Sequence, residues 1–461
     1  MITTAPERLA SVDNLAGAPP AQAAPAQAAS VKIDVESLVA GRQLKHPIYD
    51  KGNLLLLAQG SIVTPRFKQL LLTRGIRDVM VSQADADNMA AQPQPDAAGL
   101  QSTNPLDSAM TEKLDALVDA GHLFKENAGP KLKDRLVLQG CKGFGVAQRD
   151  ALLAQHSQTC DALDDMIKAA AHGQPVSGQE IAGVVASYLT NLTSDVDCVL
   201  DVARRAGHYA ALAEHCLQMS LFGMALAIEL GMSEVDVRTI GLSGLLHDWG
   251  MSHIAPEILD ANRILTNAEF LEIKKHPGYT LDLLKSISTI PDMVPMICYQ
   301  VHERPNGTGY PRGRTKNRIH PGARILHVAD IYLALTSPRP FRKPLMPYAA
   351  IECLLRQAKE SLVDVEVVRA LLHVVSLFPI GSHVILSDGS TARVLRRNGN
   401  NYSSPIVQII MDANGDFTDL LDETQIIDPS KQRLTIVKAV PATDSEQITL
   451  EARHSVQFMR A

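Results

Sequence analysis

Six residues whose side chains can bind a metal ion stand among apolar neighbours in the middle of this chain, four of them singly and two as an adjacent pair. They are His215, His247, Asp248, His276, His302 and Asp330. Burying an imidazole or an ionised carboxylate in an apolar core is costly unless a partner or a metal satisfies it. The set therefore predicts a metal centre assembled from several separate segments.

The adjacent residues His247 and Asp248 can present an imidazole and a carboxylate to one point near a helix end. One such group from each of several helices gives a metal three or four ligands in the core of a bundle. With Asp248 shared, the six ligands serve two metals, and a metal pair of this kind supports in-line displacement at phosphorus. Mixed imidazole and carboxylate ligation favours transition metals over magnesium. We therefore expect two divalent transition metals, iron or manganese, with Asp248 and His247 as the catalytic residues.

The segments that carry these residues show helical periodicity, which predicts consecutive helices from about residue 195 to 375. The helices predicted to carry the six ligands are Ala211–Leu230, Val235–His247, Thr266–His276, Ile290–His302 and Ala323–Leu335. Thr266 and Glu269 have the spacing of a capping box, which marks a helix start. No convincing strand interrupts this region, so we predict an all-α bundle.

Shifts in composition and periodicity predict a multidomain chain, with small modules flanking the central bundle. The predicted regions are a disordered tail (1–30), a small α+β module (31–82), a linker (83–108), a helical approach region (109–200), the central domain (201–375), a small all-β module (376–440) and a tail (441–461). In the first module, a helix is expected from Thr64 to Thr73.

The overall composition is that of an ordinary globular protein. The chain has 461 residues, a net charge of −6 and 46% hydrophobic residues, so no global field attracts a nucleic acid polymer. No apolar run is long enough to predict a transmembrane segment, and the first residues lack the order of a signal peptide. The six scattered cysteines are expected to be reduced, buried thiols. These features predict a cytoplasmic protein.

The motifs around the six residues resemble the HD-GYP family of the HD-domain phosphohydrolases, over about residues 205–375. Asn306-Gly307-Thr308-Gly309-Tyr310-Pro311 is similar to the family's DGxGYP loop, and the stretch from Ala329-Asp330 to Arg342 is similar to its AD…ALTSxRPYR motif. The resemblance implies an all-α bundle, a metal site of two or sometimes three ions, and hydrolysis of cyclic di-GMP to pGpG or GMP. It also implies that all six residues named first are metal ligands.

The chain departs from the family pattern at five positions. The residues that replace the family's are Ala211, Met251, Val301, Asn306 and Leu333. Ala211 stands where members with a third metal carry a glutamate, so we expect no third metal. Met251 replaces the lysine of the HDxGK motif, which lies near the substrate phosphate.

Five residues are predicted to bind the substrate. Arg324, Arg339 or Arg342 would supply the positive charge that the missing lysine removes, and Gly309 and Tyr310 belong to the loop beside them. Tyr310 is either a turn anchor or a surface for a guanine or a partner.

Two hypotheses of function follow from the sequence. The first is a metal-dependent cyclic di-GMP phosphodiesterase, with another nucleotide or phosphoester as a variant of the same chemistry. The second is a catalytically weakened HD-GYP signalling module that binds the dinucleotide, or a diguanylate cyclase through the Tyr310 loop. The departures at Met251, Val301 and Leu333 favour the second, and retention of all six ligands favours the first. A homodimer is an open alternative to a monomer.

Overall fold

The computed structural model of the protein describes residues 30–38, 44–51, 55–57, 63, 67–68, 71–72, 74–90, 108–119, 129–205, 212–263, 265–337, 344–399 and 401–440. Both predicted tails fall almost wholly outside them. The chain divides into two compact units, residues 1–103 and 104–461, and each is described by itself.

The first unit contains a four-stranded antiparallel sheet, in the order β1-β4-β2-β3. Its strands are β1 (Ser30–Asp34), β2 (Ile48–Tyr49), β3 (Leu55–Leu57) and β4 (Asp78–Ser82). Apolar side chains, including those of Val35, Ile48, Val79 and Val81, form its core. Most of the helix predicted from Thr64 to Thr73 lies outside the described residues.

One boundary predicted for this unit is wrong. Residues 83–108 were expected to form a linker, but Gln83–Ala90 is a helix, α1. The Ser82 hydroxyl accepts the amide N–H of Asp85 at 3.2 Å, which is the bond of a helix N-cap. The Asp85 carboxylate in turn accepts the backbone N–H groups of Lys45 and His46, each at 2.8 Å. These long-range bonds hold the segment on the module, and local composition did not reveal them.

The second unit is largely helical. Its helices are α2 (Ser108–Asp119), α3 (Val146–Ala171), α4 (Gly178–Arg205), α5 (Leu212–Glu229), α6 (Glu234–Leu246), α7 (Pro256–Leu259), α8 (Asn267–Ile273), α9 (His276–Leu284), α10 (Met293–Gln300), α11 (Pro321–Thr336), α12 (Pro347–Lys359) and α13 (Val365–Val375). One apolar core runs through them, and α5 is buried along almost its whole length. No helix within the described ranges has both the length and the apolar character needed to cross a membrane.

Two of the predicted ligand helices are shorter than expected because of prolines. The helix predicted from Thr266 to His276 ends at Ile273, and His276 begins α9 with Pro277 in its first turn. Proline fits the first turn of a helix but blocks the interior, where its ring meets the preceding turn. Similarly, α10 begins at Met293, with Pro295 in its first turn. The capping box at Thr266 and Glu269 is confirmed.

The chain then forms a five-stranded antiparallel sheet, in the order β8-β7-β6-β5-β9. Its strands are β5 (His383–Leu386), β6 (Thr391–Arg396), β7 (Ile406–Met411), β8 (Ile426–Ile427) and β9 (Ile436–Ala439). The central helical region and the β-sheet after it agree with the coarse architecture predicted from the sequence.

An ion pair at the end of β6 joins this sheet to α4. The Arg396 guanidinium donates to both carboxylate oxygens of Asp195, at 2.8 and 3.0 Å, and both side chains are buried. Asp195 lies at a kink within α4 and also accepts the N–H of Cys198, at 3.0 Å. The remaining Arg396 donors go to the carbonyl oxygens of Lys142 and Gly143. We call Arg396 and Asp195 the Arg396 pair.

The six cysteines are free thiols, as predicted. Three of them are buried as expected, Cys198, Cys216 and Cys298. The prediction was wrong for Cys141, which is exposed, and for Cys160 and Cys353, which are half-buried.

Candidate metal centre

The fold brings all six predicted metal ligands to one place. His215 lies in the first turn of α5, and His247 and Asp248 directly follow α6. His276 opens α9, His302 comes two residues after α10, and Asp330 lies within α11. We call these six residues the central cluster. Five of the six lie at or next to a helix end, which lets their side chains converge from different directions.

Asp248 lies in the middle of the central cluster. Its Oδ1 is 3.2 Å from His247 Nε2, 3.1 Å from His276 Nε2 and 3.4 Å from His302 Nε2. Its Oδ2 is 3.5 Å from His215 Nε2. Asp330 approaches from the other side, with Oδ1 3.6 Å from His215 Nε2 and Oδ2 3.6 Å from His302 Nδ1.

Backbone hydrogen bonds fix which ring nitrogens face the centre. His247 Nδ1 lies 3.0 Å from the carbonyl oxygen of Gly244, and His276 Nδ1 lies 2.8 Å from that of Ile273. A carbonyl oxygen only accepts, so both Nδ1 atoms carry the proton. In the neutral imidazole the Nε2 atoms then present lone pairs toward Asp248. A carbonyl bond of this kind also orients metal-binding histidines.

The result is a group of acceptors facing one another with too few donors between them. His276 Nε2 and His302 Nε2 are only 2.9 Å apart. Within the described part of the chain, the fully buried His247 Nε2 has no hydrogen-bond partner. Buried polar atoms are normally satisfied, so an orphaned lone pair in a ring of acceptors indicates a place for a cation. The residues present therefore fit divalent metal ions.

The electrostatics of the centre keep its carboxylate ionised. Burial opposes ionisation of Asp248, but the charges of His247 and His276 hold its pKa well below the ordinary value. Burial also opposes protonation of His247, whose pKa is nevertheless raised by Asp248. For His302 burial prevails, so its pKa is lowered. The carboxylate is thus available as a ligand, and loss of the ring protons accompanies metal binding.

Two overlapping groups of three donors are close enough to hold metal ions. One is His215, His247 and Asp330, and the other is His247, Asp248 and His302. In each group the donor atoms lie within 4.8 Å of one another. His276 adds a donor beside Asp248, as its distance to Oδ1 shows. Ala211, at the position relevant to a third metal, lies outside the described residues.

The predicted Tyr310 loop covers one side of the central cluster. The Tyr310 ring stacks on that of His302, with ring centroids 5.0 Å apart and planes inclined by 10°. The Tyr310 N–H donates to the carbonyl oxygen of His302, at 3.1 Å. Gly309 packs so tightly that a Cβ there would come within 2.3 Å of the Arg304 nitrogen. The loop therefore requires glycine at 309 to bring Tyr310 against the histidines.

Buried Glu303 fixes the backbone of the segment that follows Tyr310. Its two carboxylate oxygens accept the backbone N–H groups of Arg312 and Arg314, at 2.7 and 2.8 Å. The side chains of these arginines contact α2, where Asp115 pairs with both and Asp119 pairs with Arg314. Ion pairs therefore hold the segment after Tyr310 against α2.

Of the three arginines predicted to bind substrate, the structure describes Arg324. The Arg324 guanidinium donates to Asp364, so the fold already uses its charge, and its role in substrate binding stays a prediction. Arg339 and Arg342 lie outside the described residues.

A cation beside the centre that the sequence interpretation missed is Lys274. Its Nζ lies 5.6 Å from the centre of the Tyr310 ring and 4.7 Å from that of Phe270. No carboxylate in the described chain forms an ion pair with it at hydrogen-bonding distance. Its position two residues before His276 was the available signal, but helical periodicity alone did not indicate the side toward which the Lys274 side chain points.

Comparison with known proteins supports the motif-based interpretation. Residues 203–367 match the family model described as the HD domain. The cyclic di-GMP phosphodiesterase PA4108 of Pseudomonas aeruginosa is 27% identical over 380 residues, which is 82% of each chain. The cyclic di-GMP phosphodiesterase response regulator RpfG of Xanthomonas campestris pv. campestris is 36% identical over 34% of this chain and 41% of its own.

A further relative is named for a different substrate. The 3'3'-cGAMP-specific phosphodiesterase 3 of Vibrio cholerae is 30% identical over 36% of each chain. The matches to the Vibrio enzyme and to RpfG therefore span less than half of the length of those two relatives. Bd1817, an HDG"Y"P protein from Bdellovibrio bacteriovorus, gives a TM-score of 0.38 at 15% identity, over 74% of this chain and 98% of that one, a likeness too weak to carry an argument.

Proposed function

The chain contains an HD domain and resembles cyclic di-GMP phosphodiesterases, and from this premise we propose that it is a metal-dependent phosphodiesterase that hydrolyses cyclic di-GMP to pGpG or GMP. The observation that carries the proposal is the convergence of four histidines on buried Asp248, with Asp330 beside two of them, His215 and His302. An apolar core gains nothing from such a group of acceptors unless it binds cations.

The central cluster would hold two divalent transition metals, iron or manganese. Asp248 would be the ligand shared by the two ions, because its two oxygens face different histidines. When bound, the metals would lower the pKa of water and offset the charge on the phosphoryl oxygens. His247 is held in its orientation by the Gly244 carbonyl, so it needs no rearrangement to act as a ligand.

Residues beside the cluster would bind the dinucleotide. The Tyr310 ring shields the histidines on one side and offers an aromatic edge to a base. Lys274 brings a positive charge to that same side. It could replace the charge of the family's lysine, whose position in the sequence is occupied by Met251. A lysine within reach of a phosphate donates charge-assisted hydrogen bonds, which are stronger than neutral ones.

The proposal is tested by measuring metal content and cyclic di-GMP hydrolysis on full-length protein purified without chelator and with oxygen excluded. We expect close to two transition metals per chain and hydrolysis that is lost in Asp248→Ala. Asp292→Ala is a matched control, because Asp292 is exposed and makes no capping hydrogen bond at the start of α10. A wild-type protein that carries metal and hydrolyses no cyclic dinucleotide would contradict the proposal.

The assay should include 3'3'-cGAMP beside cyclic di-GMP, since one relative is named for that substrate. Faster turnover of 3'3'-cGAMP would keep the hydrolase and change its substrate.

The alternative is a non-catalytic module that binds the dinucleotide or a diguanylate cyclase through the Tyr310 loop. The observation that favours it is that Val301 and Leu333 are buried apolar side chains next to the ligands His302 and Asp330. Dinucleotide binding measured by calorimetry, retained in Asp248→Ala and without turnover in either protein, would select this alternative.

Location and assembly complete the proposal. We keep the cytoplasmic location predicted from the cysteines, all six of which are free thiols. A homodimer is the oligomeric state to be tested by sedimentation.

A further inference from the structure

A second group of metal-binding side chains lies between α3 and α5. His156 and Cys160 are one helical turn apart on α3, so their side chains share a face of that helix. Glu214 reaches them from α5, and the donor atoms of all three lie within 4.8 Å of one another. We call these three residues the α3–α5 cluster.

The α3–α5 cluster is separate from the central cluster, although Glu214 and His215 are consecutive. Glu214 Oε1 is 2.8 Å from His156 Nε2, and the Cys160 thiol donates to Glu214 Oε2 at 3.1 Å. His215, by contrast, contacts Asp248 and Asp330. Neighbouring residues on α5 therefore serve two different groups.

We propose that His156, Cys160 and Glu214 form a second metal site, for a borderline or soft divalent ion such as zinc. Nitrogen, sulfur and carboxylate oxygen are the donors that zinc takes in proteins. A thiolate and a carboxylate together balance the charge of one divalent ion, so the bound state leaves no net charge buried among these ligands. Binding requires Cys160 to lose its proton to solvent, while the imidazole binds in its neutral form.

The geometry needs only a small expansion to accept the ion. Around a tetrahedral zinc, with bonds of about 2.0 Å to nitrogen and oxygen and about 2.3 Å to sulfur, nitrogen and oxygen stand about 3.3 Å apart and sulfur and oxygen about 3.5 Å apart. The corresponding distances here are 2.8 Å from nitrogen to oxygen and 3.1 Å from sulfur to oxygen. His156 and Glu214 are buried, whereas Cys160 is half-buried and leaves a route by which the ion enters.

Gln218 supports Glu214 in the manner of residues that surround metal ligands. Its amide nitrogen donates to Glu214 Oε1 and to the carbonyl oxygen of Ala203, each at 2.9 Å. Such outer hydrogen bonds fix the orientation of a ligating carboxylate. An ion held here would tie α3 to the helix that carries His215. This inference does not depend on the reaction proposed for the central cluster.

Cobalt(II) distinguishes the two clusters, because only the α3–α5 cluster includes a thiolate ligand. Full-length protein stripped of metal is titrated with cobalt(II), and the thiolate-to-cobalt charge-transfer band is recorded in the near ultraviolet. We expect the band in the wild-type protein and in Asp248→Ala. We expect its loss in Cys160→Ser, and its retention in Cys353→Ser, which changes another half-buried cysteine.

A second variant protects the test against misfolding. His156→Gln keeps a polar side chain of similar size opposite Glu214 and should also remove or strongly weaken the band, with an unchanged far-ultraviolet circular dichroism spectrum. Absence of the band in the wild-type protein would overturn the proposal. So would a band that persists in Cys160→Ser, or one that disappears in Asp248→Ala, because the thiolate would then belong to another site.

Discussion

Asp248 and Asp195 are both buried aspartates with basic side chains around them. Arginine surrounds one and histidines surround the other, and the hydrogen bonding of the two carboxylates differs. Asp195 receives two short, parallel hydrogen bonds from Arg396, and the other Arg396 donors reach carbonyl oxygens. Asp248 faces histidine nitrogens at 3.1 to 3.5 Å. Two of these histidines, His247 and His276, donate their ring proton to a backbone carbonyl oxygen instead of to Asp248. The hydrogen-bonding groups around Asp195 are therefore paired within the protein, whereas those around Asp248 include a buried ring nitrogen, His247 Nε2, without a hydrogen-bond partner among the described residues.

This difference shows how a structural polar group can be told from a binding site. Buried charges that exist for the fold are paired and hydrogen-bonded, because an unpaired one costs several kcal/mol. Buried acceptors that converge without donors are tolerated where a cation completes them. The Arg396 pair should therefore govern stability, and the central cluster should govern activity.

The largest expected effect is on catalysis. Asp248→Asn keeps the size of the side chain but removes the charge that faces four histidines, so metal binding and hydrolysis should both be lost. Metal ions contribute several kcal/mol to such reactions, and each 1.36 kcal/mol is tenfold, so the rate should fall by about 10³-fold or more. Steady-state hydrolysis and metal analysis measure this. Retention of full activity would contradict the assignment of the centre.

The next effect should be on stability alone. Arg396→Met leaves Asp195 buried without its cation, and the free energy of unfolding should fall by about 3 to 5 kcal/mol. Denaturant unfolding of the full chain measures it, while the folded fraction should hydrolyse the substrate at the wild-type rate.

A matched control for that variant is Arg369→Met, which removes an exposed ion pair with Glu366. Exposed pairs contribute at most about 1 kcal/mol, so this change should be small. Equal effects of the two substitutions would remove the distinction between the Arg396 pair and an ordinary surface ion pair.

Acid should act on α11, which carries Asp330, more than on the Arg396 pair. Burial lowers the pKa of His320 from 6.5 to about 4, and that of His327 likewise to about 4. Between pH 6.5 and 4 the unfolded chain binds more protons than the folded chain, so stability falls as the pH falls through this range. The full shift corresponds to roughly 3 kcal/mol per histidine.

His320→Asn provides the test of that pH effect. Neutral His320 Nδ1 accepts the N–H of Gly322 at the start of α11, and asparagine is also a good N-cap. The variant should therefore lose part of the pH dependence of unfolding between pH 6.5 and 4 while keeping its stability at pH 8. A pH profile identical to that of the wild type would show that His320 is not protonated on unfolding in this range.

The smallest effect concerns substrate binding. Lys274→Ala should raise KM by about tenfold, which corresponds to the low end of the roughly 1.5 to 3 kcal/mol of a hydrogen bond to a charged group, and should leave the metal content unchanged. Lys274→Arg should restore part of the affinity. The neighbouring Lys275 pairs with Glu272 and is exposed, so Lys275→Ala should leave KM unchanged. An equal rise in both alanine variants would mean that only the general positive charge matters.

The sequence alone selected the six side chains that converge in the central cluster, and it determined the helical nature of the central region. Histidine and aspartate within apolar helical patterns are visible residue by residue, because a buried polar group has no local reason to be there. The motif at Asn306–Pro311 likewise identified the loop that covers the centre. Helix ends were less accurate where a proline opens a helix, as at Pro277 and Pro295.

Only the tertiary structure decided which groups meet. The Lys274 ammonium lies over the Tyr310 ring, and the Arg324 guanidinium pairs with Asp364. Asp85 accepts a hydrogen bond from the distant Lys45 amide and lies in a helix where a linker was expected. The α3–α5 cluster also depends on the packing of two helices whose contacting residues are more than 50 positions apart. Local periodicity reports which face of an element is apolar, but the partner of a charged side chain is set by the packing of distant elements.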